Sequence, residues 1–198
     1  MNPVLTYNDF LNYLRRNSID ERRRYIPVLL IKPDTVLYLN SERRLDYIFN
    51  YFDRRTGEKV DFFLPGYSHY PNLSFPESMS YRPFDEDVVA LSLRRIGDIF
   101  YSDNAFVDFI ELIEESCHQF RYYGDTELVF FLYNPGADDS RGSFDFSLFH
   151  RYNLSKLFLS DNGRFYSVQH FLEEVIHEII ETPNDERLIN KIDRYYHG

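Results

Sequence analysis

Three short apolar runs each stop at a turn bearing proline or glycine, and helix-patterned segments separate them. The runs are Ile26–Lys32 (IPVLLIK, before Pro33-Asp34), Val60–Leu64 (VDFFL, before Pro65-Gly66-Tyr67) and Glu127–Tyr133 (ELVFFLY, before Asn134-Pro135-Gly136). Runs of this length between turn signals read as strands. Their alternation with amphipathic helices predicts a sheet covered by helices on at least one face. In open sheets of this kind, ligands sit outside the carboxyl ends of the strands. The pattern therefore locates a candidate site without fixing its chemistry.

The 198 residues suit a single α/β domain over 1–198, with an N-terminal helical extension at 1–25, a long loop at 65–83 and a C-terminal helix at 184–198. The core must be strongly aromatic, because the chain has 19 Phe and 17 Tyr but no Trp. No apolar run reaches the roughly 20 residues of a membrane helix. The start, MNPVLTYNDF, lacks the basic-then-apolar layout of a signal peptide. A single cysteine, Cys117, excludes an intramolecular disulfide and a Cys-based zinc cluster. Its place at the end of an apolar helix stripe predicts a small buried hydrophobe. These features together indicate a cytoplasmic protein with no membrane association.

The net charge of −10 is unevenly distributed. Residues 1–60 carry 11 Lys/Arg and 8 Asp/Glu, and residues 61–198 carry 11 and 24. Such a balance argues against nucleic-acid binding by the chain as a whole. The paired arginines of the N-terminal part, including Arg15-Arg16, Arg43-Arg44 and Arg54-Arg55, are expected to pair with the acidic remainder and to stack on aromatics, with a local patch for an anion or acidic partner as the alternative.

Along the chain, helical spacing predicts a short helix at 6–16 and another at 41–55 with Leu45, Ile48, Phe49 and Phe52 as its buried stripe. Asp85 is expected to cap a short helix carrying Val89, Leu93 and Ile96 and ended by Gly97. Ser102 or Asp103 starts a stronger helix with Phe106, Phe109, Ile110, Ile113 and Cys117 on one face. Phe144, Phe146 and Leu148 alternate inward in a strand that forms a hairpin with 127–133, and Leu154–Leu159 reads as a further strand. Ser167 caps a helix to Glu181 that buries Phe171, Leu172, Val175, Ile176, Ile179 and Ile180; Asp185–Tyr196 forms the last helix. The stretch 65–83 holds four of the nine prolines and has neither period. Loops of this length serve a function or pack as pinned surface segments.

Several constellations carry chemistry. His170, Glu174, His177, Glu178 and Glu181 share one side of the last long helix, opposite its apolar stripe, as on a solvated face. His177-Glu178-x-x-Glu181 also lacks the second histidine of a zinc-protease motif. Asp34, Asp138 and Asp139 lie near strand ends, where acids can hold Mg²⁺. The best ligand-binding set is Tyr67 and His69, after Pro65-Gly66 at the end of the second run, with Asn134, Gly136 and Asp138 after the third. Glycine there lets a ligand approach the backbone, and the aromatic, imidazole and polar groups would hold it. No G-x-S-x-G, G-x-x-x-x-G-K-[ST] or G-x-G-x-x-G motif occurs. No cofactor and no metal site are expected, and no catalytic residue is assigned.

The resulting element order over 26–181, β-α-β-α-β-β-α, resembles the thioredoxin fold, with a Rossmann-like sheet bearing an antiparallel edge as the alternative. The Cys-x-x-Cys signature of thiol oxidoreductases is missing. The stretch Tyr101–Phe131 (YSDNAFVDFIELIEESCHQFRYYGDTELVFF) resembles segments of uncharacterised small bacterial α/β proteins linked to conflict and antiviral defence gene clusters. That resemblance implies a bacterial origin and a defence role. The expected function is a non-catalytic binding or regulatory domain that recognises a protein partner or small ligand. The alternatives are a small enzyme acting on a nucleotide or phosphorylated ligand at the strand ends, with Arg43 and Arg44 offsetting phosphate charge, and a subunit that mainly oligomerises.

Overall fold

The computed structural model describes residues 2–17, 23–33, 54–56, 60–69, 88–93, 97–134, 144–156, 168–182 and 186–197. Within them lie β1 (Asn2–Val4), α1 (Tyr7–Asn17), β2 (Arg24–Leu30), β3 (Phe63–Pro65), β4 (Tyr67–His69), β5 (Val88–Leu93), β6 (Gly97–Ser102) and α2 (Asp103–Ser116). The chain continues through β7 (Glu127–Tyr133), β8 (Phe144–Asn153), a 3₁₀ turn (Leu154–Lys156), α3 (Val168–Glu181) and α4 (Glu186–His197). The fold is mixed α/β. A five-stranded sheet runs β1-β3-β2-β7-β8, and a three-stranded antiparallel sheet runs β4-β6-β5.

The three apolar runs do share one sheet. Strands β1, β2 and β3 are mutually parallel, whereas β7 is antiparallel to both β2 and β8. Every residue of β7 is buried, because helices cover both faces of the sheet. On one face, Phe63 meets Phe10 of α1 at 4.6 Å between ring centroids, and Phe131 and Phe149 pack on Phe120, just beyond α2. On the other, Tyr152 packs on Phe171 of α3 and Tyr196 of α4 and donates its hydroxyl to Asp193 at 2.7 Å. A strand sandwiched in this way reads as a continuous apolar run, not as an alternation.

The N-terminal segment, read as an appendage, contributes an edge strand and part of the core. Val4 pairs with Pro65, and Phe10, Leu11 and Leu14 of α1 are buried. A reciprocal cap starts α1: the Asp9 amide donates to the Thr6 hydroxyl, and the Thr6 amide and hydroxyl donate to the Asp9 carboxylate. Pro27 lies inside β2, one residue before β3 begins to pair at Val28.

The chain crosses from one sheet to the other at Gly66, whose φ of 79° joins β3 to β4. Its amide donates to Val4 O at 3.0 Å, and its carbonyl accepts from the Ser102 amide at 2.9 Å. A Cβ here would stand 2.8 Å from Cβ of Phe106, so only glycine fits. Ser102 in turn caps α2, its Oγ accepting from the Ala105 amide at 3.2 Å. The helix start and its stripe of Phe106, Phe109, Ile110 and Ile113 match the sequence reading, and Cys117 is buried as expected.

Other expectations fail. The segment 85–97 holds no short helix over Val88–Leu93: that stretch is β5, and Gly97, expected as a helix stop, opens β6. The sequence VVALSL satisfies strand alternation as well as helical spacing, and pairing with β6 decides between them. In β8, Leu148 is 45 % exposed instead of inward. Phe131 pairs with Phe149 and Leu132 with Asp145, so 146–148 bulge out of the ladder and break the alternation. Of the strand expected over 154–159, residues 154–156 form a 3₁₀ turn and 157–159 lie outside the described residues. Ile180 is 38 % exposed, although the rest of its stripe is buried as read. Most of the predicted 41–55 helix and all of 70–83 lie outside the described residues.

Candidate functional site at one end of the sheet

The strand directions split the site read from the sequence. Leu30 pairs with Glu127 and Arg24 with Tyr133, so the end of β7 lies beside the beginning of β2. Asn134 is therefore at the opposite end of the sheet from Ile31 and Pro65, and the three run ends do not share one rim. An apolar run has no direction that its composition reveals; only its pairing fixes it.

Tyr67 is not a ligand-facing residue. It is fully buried, donates its hydroxyl to Ile31 O at 2.9 Å and packs on Tyr101 at 4.9 Å between centroids. Its role is to strap β4 to the end of β2. His69 is exposed at the far end of β4, opposite Ile99. Gly136 and Asp138, like Asp34, Asp139, Arg43 and Arg44, lie outside the described residues. The five-residue ligand set is thus not brought together by the residues that the structure describes.

What does gather at the end of β2 is a set the sequence reading passed over. The Lys32 ammonium donates to Asp103 Oδ1 at 2.6 Å, and the Tyr101 hydroxyl donates to the same oxygen at 2.9 Å. Lys32 Nζ also stands 5.4 Å from the centre of the Phe106 ring. Asp103 occupies the first turn of α2, where the helix dipole favours negative charge. The hydrogen bond from Lys32 holds the Asp103 carboxyl below its usual range against a smaller opposing effect of burial. Burial, then the bond to Asp103, pushes the Tyr101 phenol far above its usual range. Lys32 and Asp103 remain partly exposed.

On the neighbouring strand, at the same end of the sheet, Glu127 opens β7 opposite Leu30 and Asn153. It is wholly buried, and neither carboxylate oxygen has a hydrogen-bond partner among the described residues. Arg151 Nη2 stands 3.3 Å from Oε1 without completing a bond. Burial pushes the Glu127 carboxyl up to about 7, partly offset by Arg151. Arg151 Nη1 donates to Arg121 O at 2.6 Å, and its guanidinium lies 5.3 Å from the centre of the Tyr123 ring. A signal for Glu127 did exist: it is the one acid within the run ELVFFLY.

The acidic face of the 168–181 helix is a second correction. Glu178, read as solvated, is 6 % exposed. It accepts from Lys191 Nζ at 2.6 Å and from the Tyr195 hydroxyl at 2.9 Å, which joins α3 to α4. His170 and Glu174 face each other at 3.7 Å along one helix. Among the described residues, no three His, Cys, Asp or Glu side chains gather as metal ligands, and no helix is long and apolar enough to cross a membrane.

No protein-family model, curated protein or solved structure matches the chain.

Proposed function

We propose that the protein is a non-catalytic binding or regulatory α/β domain that presents the rim at the end of β2 to a protein partner or small polar ligand. The observation that carries this reading is the state of the Lys32–Asp103–Tyr101 group. Its three polar side chains are already bonded to one another. Asp103 is held ionised and Tyr101 protonated. Neither is poised to exchange a proton near neutrality, as acid–base catalysis requires. A fixed pair of opposite charges on a rigid strand end instead suits recognition of a polar surface.

A thioredoxin-like arrangement is part of the same proposal. It is supported by the antiparallel placement of β7 between β2 and β8 and by α2 preceding β7. A cytoplasmic setting and a role in bacterial conflict or antiviral defence rest on the sequence readings given above.

The test is affinity capture from cells of the source, comparing the natural chain with Lys32→Ala and Asp103→Asn. Both variants are expected to lose the partner while melting close to the natural protein, since exposed ion pairs contribute about 0–1 kcal/mol. Undiminished capture by both would refute the rim as the recognition surface. A second reading, a small enzyme acting on a nucleotide or phosphorylated ligand, is favoured by Lys32, Arg151 and Lys156, which follow or end strands at this same end of the sheet. Thermal stabilisation by a nucleotide, lost in Lys32→Ala, would select it over the first.

A further inference from the structure

Glu127 is an unusual place for a charge. An ionised carboxylate buried without hydrogen bonds is costly, and such a group moves its titration instead of remaining charged at no benefit. Around it, each packed element offers a named group. Arg151 comes from β8, Asp125 from the segment leading into β7, Lys156 from the 3₁₀ turn and Tyr196 from α4. Asp125 opposes ionisation, whereas Arg151 and Lys156 favour it. Asp125 is itself engaged, accepting from Asn153 Nδ2 at 2.6 Å, and Tyr196 donates to Asn153 O at 3.1 Å.

Arg151 is the member with two loyalties. One nitrogen faces Glu127; the other holds the carbonyl of Arg121, while the guanidinium plane reaches Tyr123. Segment 121–123 is held at its other side by Glu114, which accepts from the Tyr122 amide at 2.8 Å. Tyr123 itself is 73 % exposed. The position of this exposed ring therefore depends on where Arg151 points. Among the described residues, protonation of this carboxylate breaks no hydrogen bond.

We propose that Glu127 is a proton-operated latch: ionised, it draws Arg151 and with it segment 121–123 onto the sheet end, and on protonation it releases them. Proton uptake adds one proton to a carboxylate oxygen and removes the negative charge that faces the guanidinium. The burial that pushes the carboxyl up to about 7 puts this change at neutral pH. The latch stands independently of the partner-binding reading, because it concerns the protein alone.

The experiment is an NMR titration of the full chain from about pH 5 to about pH 9, a span that brackets neutral titrations. It follows the Glu127 side-chain carboxyl carbon and the backbone signals of Arg121, Tyr122 and Tyr123. In the natural protein, all should move with one midpoint near 7. In Glu127→Gln, the 121–123 signals should stay still. His118 lies close in sequence and is intact in that variant. Movement of 121–123 in Glu127→Gln would therefore overturn the proposal, as would a Glu127 midpoint in the ordinary carboxylate range. Should Glu127→Gln fail to fold, Arg151→Lys carries the test. There Glu127 still titrates but 121–123 does not follow, because one ammonium lacks the fork that spans both acceptors; coupled movement in that variant also refutes the latch.

Discussion

Among the described residues two glutamates are buried, one between the helices α3 and α4 and one at the end of the central sheet, and they are treated in opposite ways. Burial pushes the Glu178 carboxyl up, but bonds from Lys191 and Tyr195 outweigh it and leave the group below its usual range. Burial pushes Glu127 up as well; Arg151, near but not bonded, does not reverse it. The lesson is that depth alone does not set the charge of an acid. The supply of donors does, and the helix pair supplies two where the described residues of the sheet end supply none.

The largest expected effect breaks the satisfied site. Glu178→Ala leaves Lys191 and Tyr195 without their acceptor, and urea unfolding at neutral pH should show a loss of about 2–3 kcal/mol. If the loss is negligible, the helix contact is held by Leu188, Ile189 and Ile192 alone. The orphaned site should respond with the other sign. Glu127→Gln removes a buried charge without hydrogen bonds and should gain stability on the order of 1 kcal/mol above neutral pH, with no gain in mild acid. A loss at every pH would mean that the Arg151 ion pair dominates.

The pH dependence sharpens the contrast further. Glu127 has a raised folded value, so its contribution to stability is full below about 4.5 and is lost as pH rises through about 7. Glu178 has a lowered one, so its contribution is present above 4.5 and disappears as pH falls through the folded value. Chemical denaturation across pH should show stability declining on both sides of mildly acidic conditions. Glu127→Gln should flatten only the neutral limb, and Glu178→Gln only the acid limb. The smallest effect is expected from Tyr195→Phe, which removes one of two donors to Glu178 and should cost about 0.5–1 kcal/mol in the same urea assay. An effect as large as that of Glu178→Ala would place most of the bond strength in the tyrosine.

Much of the architecture was legible before any coordinates. The runs at 26–32, 60–64 and 127–133 supply the central strands, although the second is a strand only over Phe63–Pro65, and Ser102 with the Phe106–Ile113 stripe supplies α2. The candidate site was far less legible. Tyr67 and His69 stood out because tyrosine and histidine after Pro-Gly look available to a ligand, yet Tyr67 is fully enclosed and bonded to Ile31 O. Lys32 and Asp103 are 71 residues apart, and nothing local in either neighbourhood announces the other. Residues 88–93 fit two periodicities, and only the partner strand β6 chooses between them.

The sequence by itself determined which segments are apolar, where turns interrupt them and where a helix begins, because spacing, capping and glycine or proline stops act over a few residues. Only the tertiary structure decided that β7 runs against β2, that β3 turns into a second sheet at Gly66, and that Glu127 finds no donor among the described residues while Glu178 receives two. Those outcomes depend on which distant segments pack together. Strand direction and the pairing of buried charges are properties of that packing, and no single stretch of the chain contains them.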